Sequence, residues 1–177
     1  MPPRHIVLVG PMGVGKSTTA HLLVERIGRP LRDSDLDIER LFGATGATIA
    51  REYGVEELHR IEAAVLLGAL ASETPTVITA ASSVVDDPRC REAMGRCADV
   101  VVLDAPDALL EQRRAAGDHR RVVDADAFRS LVARRRPLYD AAADLRVDAT
   151  RSPAAIADAI IDALGTATPG SAGPCAV

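Results

Sequence analysis

Eight consecutive residues near the start of the chain carry the plainest chemistry: Gly10-Pro11-Met12-Gly13-Val14-Gly15-Lys16-Ser17. Their spacing is GxxxxGKS. They follow a short β-branched run, His5 to Val9, and open a segment of helical pattern. Strand, glycine loop and helix together form the context in which this motif cradles the phosphates of a nucleoside triphosphate. Glycines at positions 10, 13 and 15 let successive backbone N–H groups turn inward around an anion. The helix that follows aims its positive end at the same anion. In such a loop Lys16 reaches the β- and γ-phosphates and the Ser17 hydroxyl ligates Mg²⁺. Met12, Val14 and Thr18 complete the nucleotide cradle. Lys16 is also the sole lysine, since the other 20 of the 21 basic residues are arginine. A chain that uses arginine everywhere else keeps a compact point charge here.

Asp33-Ser34-Asp35 follows the second strand segment. In open parallel sheets the carboxyl ends of strands face the binding crevice. Two carboxylates spaced i and i+2 there, Asp33 and Asp35, can divide two tasks: one can hold water around a metal ion, and the other can accept a proton from an attacking hydroxyl. The plainer alternative is that both merely cap the next helix. Arginines recur at Arg113, Arg114, Arg120 and Arg121, in and before a polar loop. They suit a cover that neutralises charge on a transferring phosphoryl group. Arg134-Arg135-Arg136-Pro137 offers a fork for a carboxylate beside an expected proline kink. A solvated basic surface is the alternative for both sets.

The remaining elements must position these groups. The apolar pattern predicts strands at His5–Val9, from Leu31 into Asp33, and at Thr76–Thr79, Asp99–Leu103 and Leu145–Asp148. It predicts helices over Lys16–Ile27, Leu36–Leu41 and Thr48–Leu70, the last interrupted near Gly54. Further helices are expected at Asp87–Arg96, Pro106–Ala115, Ala125–Asp140 (broken or kinked at Pro137) and Pro153–Leu164. Alternating strands and helices mean an α/β domain with a largely parallel sheet. Residues 1–164 read as a single domain, and 165–177 (GTATPGSAGPCAV) as a disordered tail.

Composition is that of an ordinary globular protein. The chain has 177 residues, 47% hydrophobic and 26% charged, with net charge −4. Aromatics are only 2%, which argues against a stacking platform for nucleic acid. The acidic balance offers no general capture of polyphosphate backbones. Three cysteines, an odd number, lack metal-ligand spacing. No apolar run reaches the ~18 residues of a membrane span. The apolar part of the N-terminus is too short for a signal sequence. A cytoplasmic monomer with no membrane or nucleic-acid partner is expected.

From Ile6 to Leu164 these motifs resemble the shikimate kinases, a branch of the nucleoside-monophosphate-kinase-like P-loop proteins. The family pattern joins the GKS loop, an Asp-x-Asp, Gly-x-x-x-Phe-Arg-x-x-Glu, a Gly-Gly-Gly turn, an arginine lid and Arg-x-Pro-Leu-Tyr. The resemblance implies a three-layer α/β/α P-loop NTPase fold, with a central, mainly parallel five-stranded sheet and a short lid. It implies ATP and Mg²⁺ as cofactors and a small hydroxylated, anionic acceptor, with shikimate first. Asp35 then binds and activates the acceptor hydroxyl, and Arg120 touches both nucleotide and acceptor. Arg135 grips the acceptor carboxylate. Arg114, Arg151 and Pro153 embrace adenine.

Two departures fall on the acceptor side. Gly54 to Glu62 reads GVEELHRIE, so Leu58-His59 replace the family's Phe-Arg, whose arginine is a second carboxylate anchor. The glycine turn reads Ala81-Ser82-Ser83. His59, Ala81 and Ser82 are therefore candidate acceptor-binding residues of altered type. Arg60 is adjacent, but one residue along a helix points about 100° away. Shikimate kinase is the leading reading. A relative acting on another hydroxylated metabolite, an ATP-binding module without acceptor chemistry, and a nucleotide or nucleoside kinase remain beside it.

Overall fold

The computed structural model describes residues 4–116 and 124–165. Five strands, β1 (His5–Val9), β2 (Leu31–Asp33), β3 (Val77–Thr79), β4 (Ala98–Asp104) and β5 (Leu145–Asp148), form one sheet in the order β2-β3-β1-β4-β5. Every pairing is parallel. The expected sheet was mainly parallel; among the described residues it is wholly so. Eight α-helices accompany it: α1 (Lys16–Ile27), α2 (Ser34–Phe42), α3 (Gly46–Tyr53), α4 (Val55–Leu70), α5 (Pro88–Cys97), α6 (Asp107–Ala115), α7 (Ala125–Ala142) and α8 (Pro153–Leu164). A short 3₁₀ turn covers Val84–Asp86.

Alternation along the strands builds the three layers. Val7 and Val9 of β1 pack with Leu66 of α4 and Met94 of α5 on one face. Ile6 and Leu8 pack with Leu23 of α1, Leu110 of α6 and Ile156 of α8 on the other. Both faces of the central strands are covered, which is why β1 and β4 read as unbroken apolar runs. Each fully buried Val, Leu or Ile side chain contributes about 1.5–3 kcal/mol. A third, smaller cluster (Ile38, Ile49, Ala50, Leu58 and Val65) joins α2, α3 and α4 away from the sheet cores.

The helix boundaries shift where the site lies. The second helix starts at Ser34, not Leu36, so Asp35 stands in its first turn. The expected break at Pro137 is absent: α7 runs through it to Ala142. Proline lacks the N–H that would bond four residues back. This proline is on the exposed face of the helix. The expected lid lies in residues 117–123 and the expected tail beyond 165, both outside the described residues.

One buried base ties stability to pH. His5 is 5% exposed, and its Nδ1 accepts from the Thr76 backbone N–H at 3.2 Å. Burial lowers its pKa below the ordinary 6.5, because a buried imidazolium loses its hydration. Folded protein holds the ring neutral, while unfolded chain takes up a proton below about pH 6.5. Stability therefore falls as pH drops through that region, by at most about 1.4 kcal/mol per pH unit for this one proton. Urea titrations from pH 7.5 to 5.5 are expected to show that slope, and His5→Gln to flatten it.

Candidate functional site

β1 ends at Gly10, where the backbone passes so close to β4 that a Cβ would stand 2.3 Å from the Leu103 carbonyl oxygen. Its φ of 144° is likewise a glycine conformation. No side chain fits there, and the loop leaves the sheet at this point. Gly13, at φ 84°, packs under the last turn of α6, where a Cβ would meet the Leu110 oxygen at 3.3 Å and the Arg114 nitrogen at 3.5 Å. Arg113 donates to the Val14 oxygen at 3.2 Å, fastening α6 to the loop. Val14 is buried, whereas Ser17 and Thr18 are exposed at the start of α1. Lys16 Nζ curls back over the loop, donating to the oxygens of Gly10 (2.9 Å) and Pro11 (3.1 Å).

Ser17 Oγ donates to Asp33 Oδ2 at 2.8 Å. The other carboxylate oxygen of Asp33 accepts from the backbone N–H groups of Asp35 (3.0 Å) and Leu36 (3.4 Å). Asp33 thus caps α2 with one oxygen and reaches the Ser17 hydroxyl, at the end of the phosphate loop, with the other. Two hard oxygens side by side suit Mg²⁺, which takes one or two protein oxygens and fills its octahedron with phosphates and water. No cluster of three His, Cys, Asp or Glu side chains fit to hold a metal occurs among the described residues. An ion here would need the nucleotide as co-ligand.

Parallel strands place all their carboxyl ends on one edge, and the strand order sorts the candidates along it. β1 brings the phosphate loop to the middle. On the β3 and β2 side stand Asp33, Asp35 and the Ala81-Ser82-Ser83 turn. On the β4 and β5 side stand Arg114, Arg151 and Pro153. Arg114 lies 4.8 Å from the Phe128 ring centroid. Pro153 is the first residue of α8, capped by Ser152 Oγ on the Ala155 N–H at 3.3 Å. Arg151 is exposed beside it. Arg120 and Arg121 fall outside the described residues.

The acceptor-side turn is tightly held. The Tyr139 hydroxyl donates to the Ser82 carbonyl at 2.9 Å, and burial raises the phenol's pKa well above its ordinary value. Ser83 Oγ donates to Glu62 of α4. His59 is half-buried on α4, while Arg60 points to solvent and pairs with Glu57. Leu58, at the family's phenylalanine position, is 7% exposed and belongs to the third apolar cluster. That position is a packing site.

Arg134, Arg135 and Arg136 diverge as successive helical residues do. Arg136 turns to Asp107 (2.8 Å) and the Ala105 oxygen (3.2 Å). Arg135 is 3% exposed and forks onto Asp86, with Nε and Nη2 at 3.0 and 2.6 Å from the same Oδ2. Its Nη1 donates to Ser82 Oγ at 3.3 Å. The fork expected for a ligand carboxylate thus already holds a protein carboxylate. The sequence reading missed Asp86. A signal existed in the pair Asp86-Asp87: Asp87 caps α5 through the Arg89 N–H at 2.8 Å, which leaves its neighbour without a local duty.

A family model described as shikimate kinase matches residues 12–165. The chain belongs to the shikimate kinase family. It is 39% identical over 149 residues to a shikimate kinase of Symbiobacterium thermophilum, covering 81% of this chain and 85% of that one. It is 34% identical over 173 residues to a shikimate kinase of Mycobacterium tuberculosis, covering 94% and 96%. Shikimate kinase from Acinetobacter baumannii, solved in complex with shikimate, superposes with TM-score 0.84 at 29% identity, over 92% of this chain and 93% of that one. As a shikimate kinase family member, the chain is an ATP-dependent phosphotransferase acting on an alcohol hydroxyl. No helix among its described residues is long and apolar enough to cross a membrane.

Proposed function

We propose that the protein transfers the γ-phosphoryl group of ATP to a ring hydroxyl of shikimate. The observation that carries the reading is the Ser17–Asp33 contact of 2.8 Å, with Asp35 two residues further on. It joins the nucleotide end of the site to a carboxylate fit to serve as base through one capped helix start. Asp35 takes the acceptor proton as the hydroxyl oxygen attacks phosphorus in line and the bond to the β-phosphate oxygen breaks. Lys16 leaves its two loop carbonyls to lie along the β- and γ-phosphates, and Arg120 adds a second positive charge. Ser17 and Asp33 hold Mg²⁺, which neutralises phosphate charge when bound. Arg114, Arg151 and Pro153 flank the adenine. Arg135 positions the acceptor, with His59, Ala81 and Ser82 lining its place. The protein acts as a cytoplasmic monomer on a small hydroxylated anion.

One observation favours a second reading, a different hydroxylated acceptor within the same chemistry. The Arg135 fork holds Asp86, and His59 stands where the family has its other carboxylate anchor. An ADP-release assay with ATP and Mg²⁺, with and without shikimate, separates the two. Stimulation at a micromolar-to-millimolar KM, the usual enzyme range, supports shikimate. ATP binding without stimulation sinks it, and a screen of hydroxylated carboxylates and cyclitols follows.

A further inference from the structure

Asp86 has no structural task of its own on the 3₁₀ turn. Its neighbour Asp87 caps α5, and the Asp86 backbone N–H is satisfied by the Ser83 oxygen at 2.9 Å. Its carboxylate is 31% exposed and faces the Arg135 guanidinium, with Arg134 Nη2 more loosely at 3.6 Å. Arg135 presents two edges. The Nε–Nη2 edge is filled by Asp86, and on the other edge Nη1 donates to Ser82. A ligand carboxylate arriving at this buried cation would meet a second carboxylate already beside it. A ligand carrying a neutral group there would meet the same carboxylate without like-charge repulsion.

We infer that Asp86 competes with the acceptor's anionic group for Arg135 and so sets how strongly the site prefers a carboxylate over a neutral acceptor. The inference rests on Arg135 as the acceptor anchor of the proposed function. Asp86 is a specificity-determining residue, acting through Arg135 and not on the reacting atoms. Arg60 does not compensate, since it is exposed and engaged by Glu57. The pairing screens the charge of Arg135 without removing it, so the preference is graded: a carboxylate gains the fork only by displacing Asp86.

The test uses two ligands that differ at one group, shikimate and its methyl ester. Both are titrated calorimetrically into the full chain with ADP and Mg²⁺ present, in the wild type, Asp86→Asn and Asp86→Ser, with circular dichroism confirming folding. The wild type is expected to bind the two within about threefold of each other. Removing a like charge from a buried ion-pair site changes affinity by about tenfold or more. Both variants are therefore expected to move the affinity ratio by that much toward shikimate. A general loss of local structure would weaken both ligands together and leave the ratio alone, and that result overturns the inference. So does a ratio that moves toward the ester, which would make Asp86 a support holding Arg135 for the carboxylate. If the ADP-release assay shows no shikimate-stimulated turnover in the wild type while Asp86→Asn moves the calorimetric ratio toward shikimate, shikimate fails as the substrate and the screening role stands. If neither compound binds any of the proteins, both readings fall.

Discussion

Lys16→Met is expected to abolish turnover, lowering kcat by about a thousandfold or more. Removing one preorganised donor from a site of developing charge costs about 10²–10³ in rate, and a full positive charge at a transferring phosphoryl group about 10³–10⁵. Methionine keeps the length and apolar stem of lysine and discards only the ammonium. The fold does not depend on that ammonium, because the glycine conformations and the packing of Gly10 on β4 are backbone features. The variant does lose two hydrogen bonds, to the oxygens of Gly10 and Pro11. At about 1 kcal/mol each, that lowers Tm by about 4–8 °C. The measurement is a coupled ADP-release rate beside a thermal melt. A variant that melts normally and keeps more than a tenth of the wild-type rate would remove Lys16 from the chemistry.

Asp35→Asn is expected to lower kcat by about 10²–10⁴, the range for a lost general base, while leaving ATP affinity within about twofold. Asp35 is exposed in the first turn of α2, and its own N–H is held by Asp33. Asparagine keeps that backbone bond and the volume, and loses the ability to take a proton. The effect should therefore fall on kcat, with nucleotide binding measured separately by fluorescence of a labelled analogue. A wild-type rate in Asp35→Asn would show that the acceptor hydroxyl is activated elsewhere.

The nucleotide half was legible in the sequence because its requirements are local. A GKS motif between a β-branched strand and a helix specifies its own backbone, and the structure places Gly10, Gly13 and Gly15 at the positive φ such a loop needs. β1, β3 and β4 were legible as apolar runs buried on both faces, and the short, half-exposed edge strands β2 and β5 by their place between helices. The acceptor half was not, because its contacts are remote in sequence. Arg135 meets Asp86 across 49 residues and Ser82 across 53, and nothing in either segment announces the other. The start of α2 was misplaced by two residues because capping was offered to Asp33 and Asp35 alike, ahead of Leu36, whereas Asp33 alone is the cap and the helix begins at Ser34. Pro137 was read as a kink or break by its ordinary cost in a helix interior, and α7 continues through it without a break.

The third apolar cluster is separate from the two that flank the sheet. Substitutions at Ile38, Ile49, Ala50, Leu58 and Val65, the members of that cluster, therefore share few partners with the strands, whereas the sheet-facing side of α4 (Leu66, Ala69, Leu70) does not enjoy that independence. Leu58 sits in this outlying cluster, so its packing can be changed while the phosphate loop and the sheet under it are left alone. Repacking there moves the helices that flank the sheet's edge and leaves the strand that leads into Gly10 and Lys16 in place.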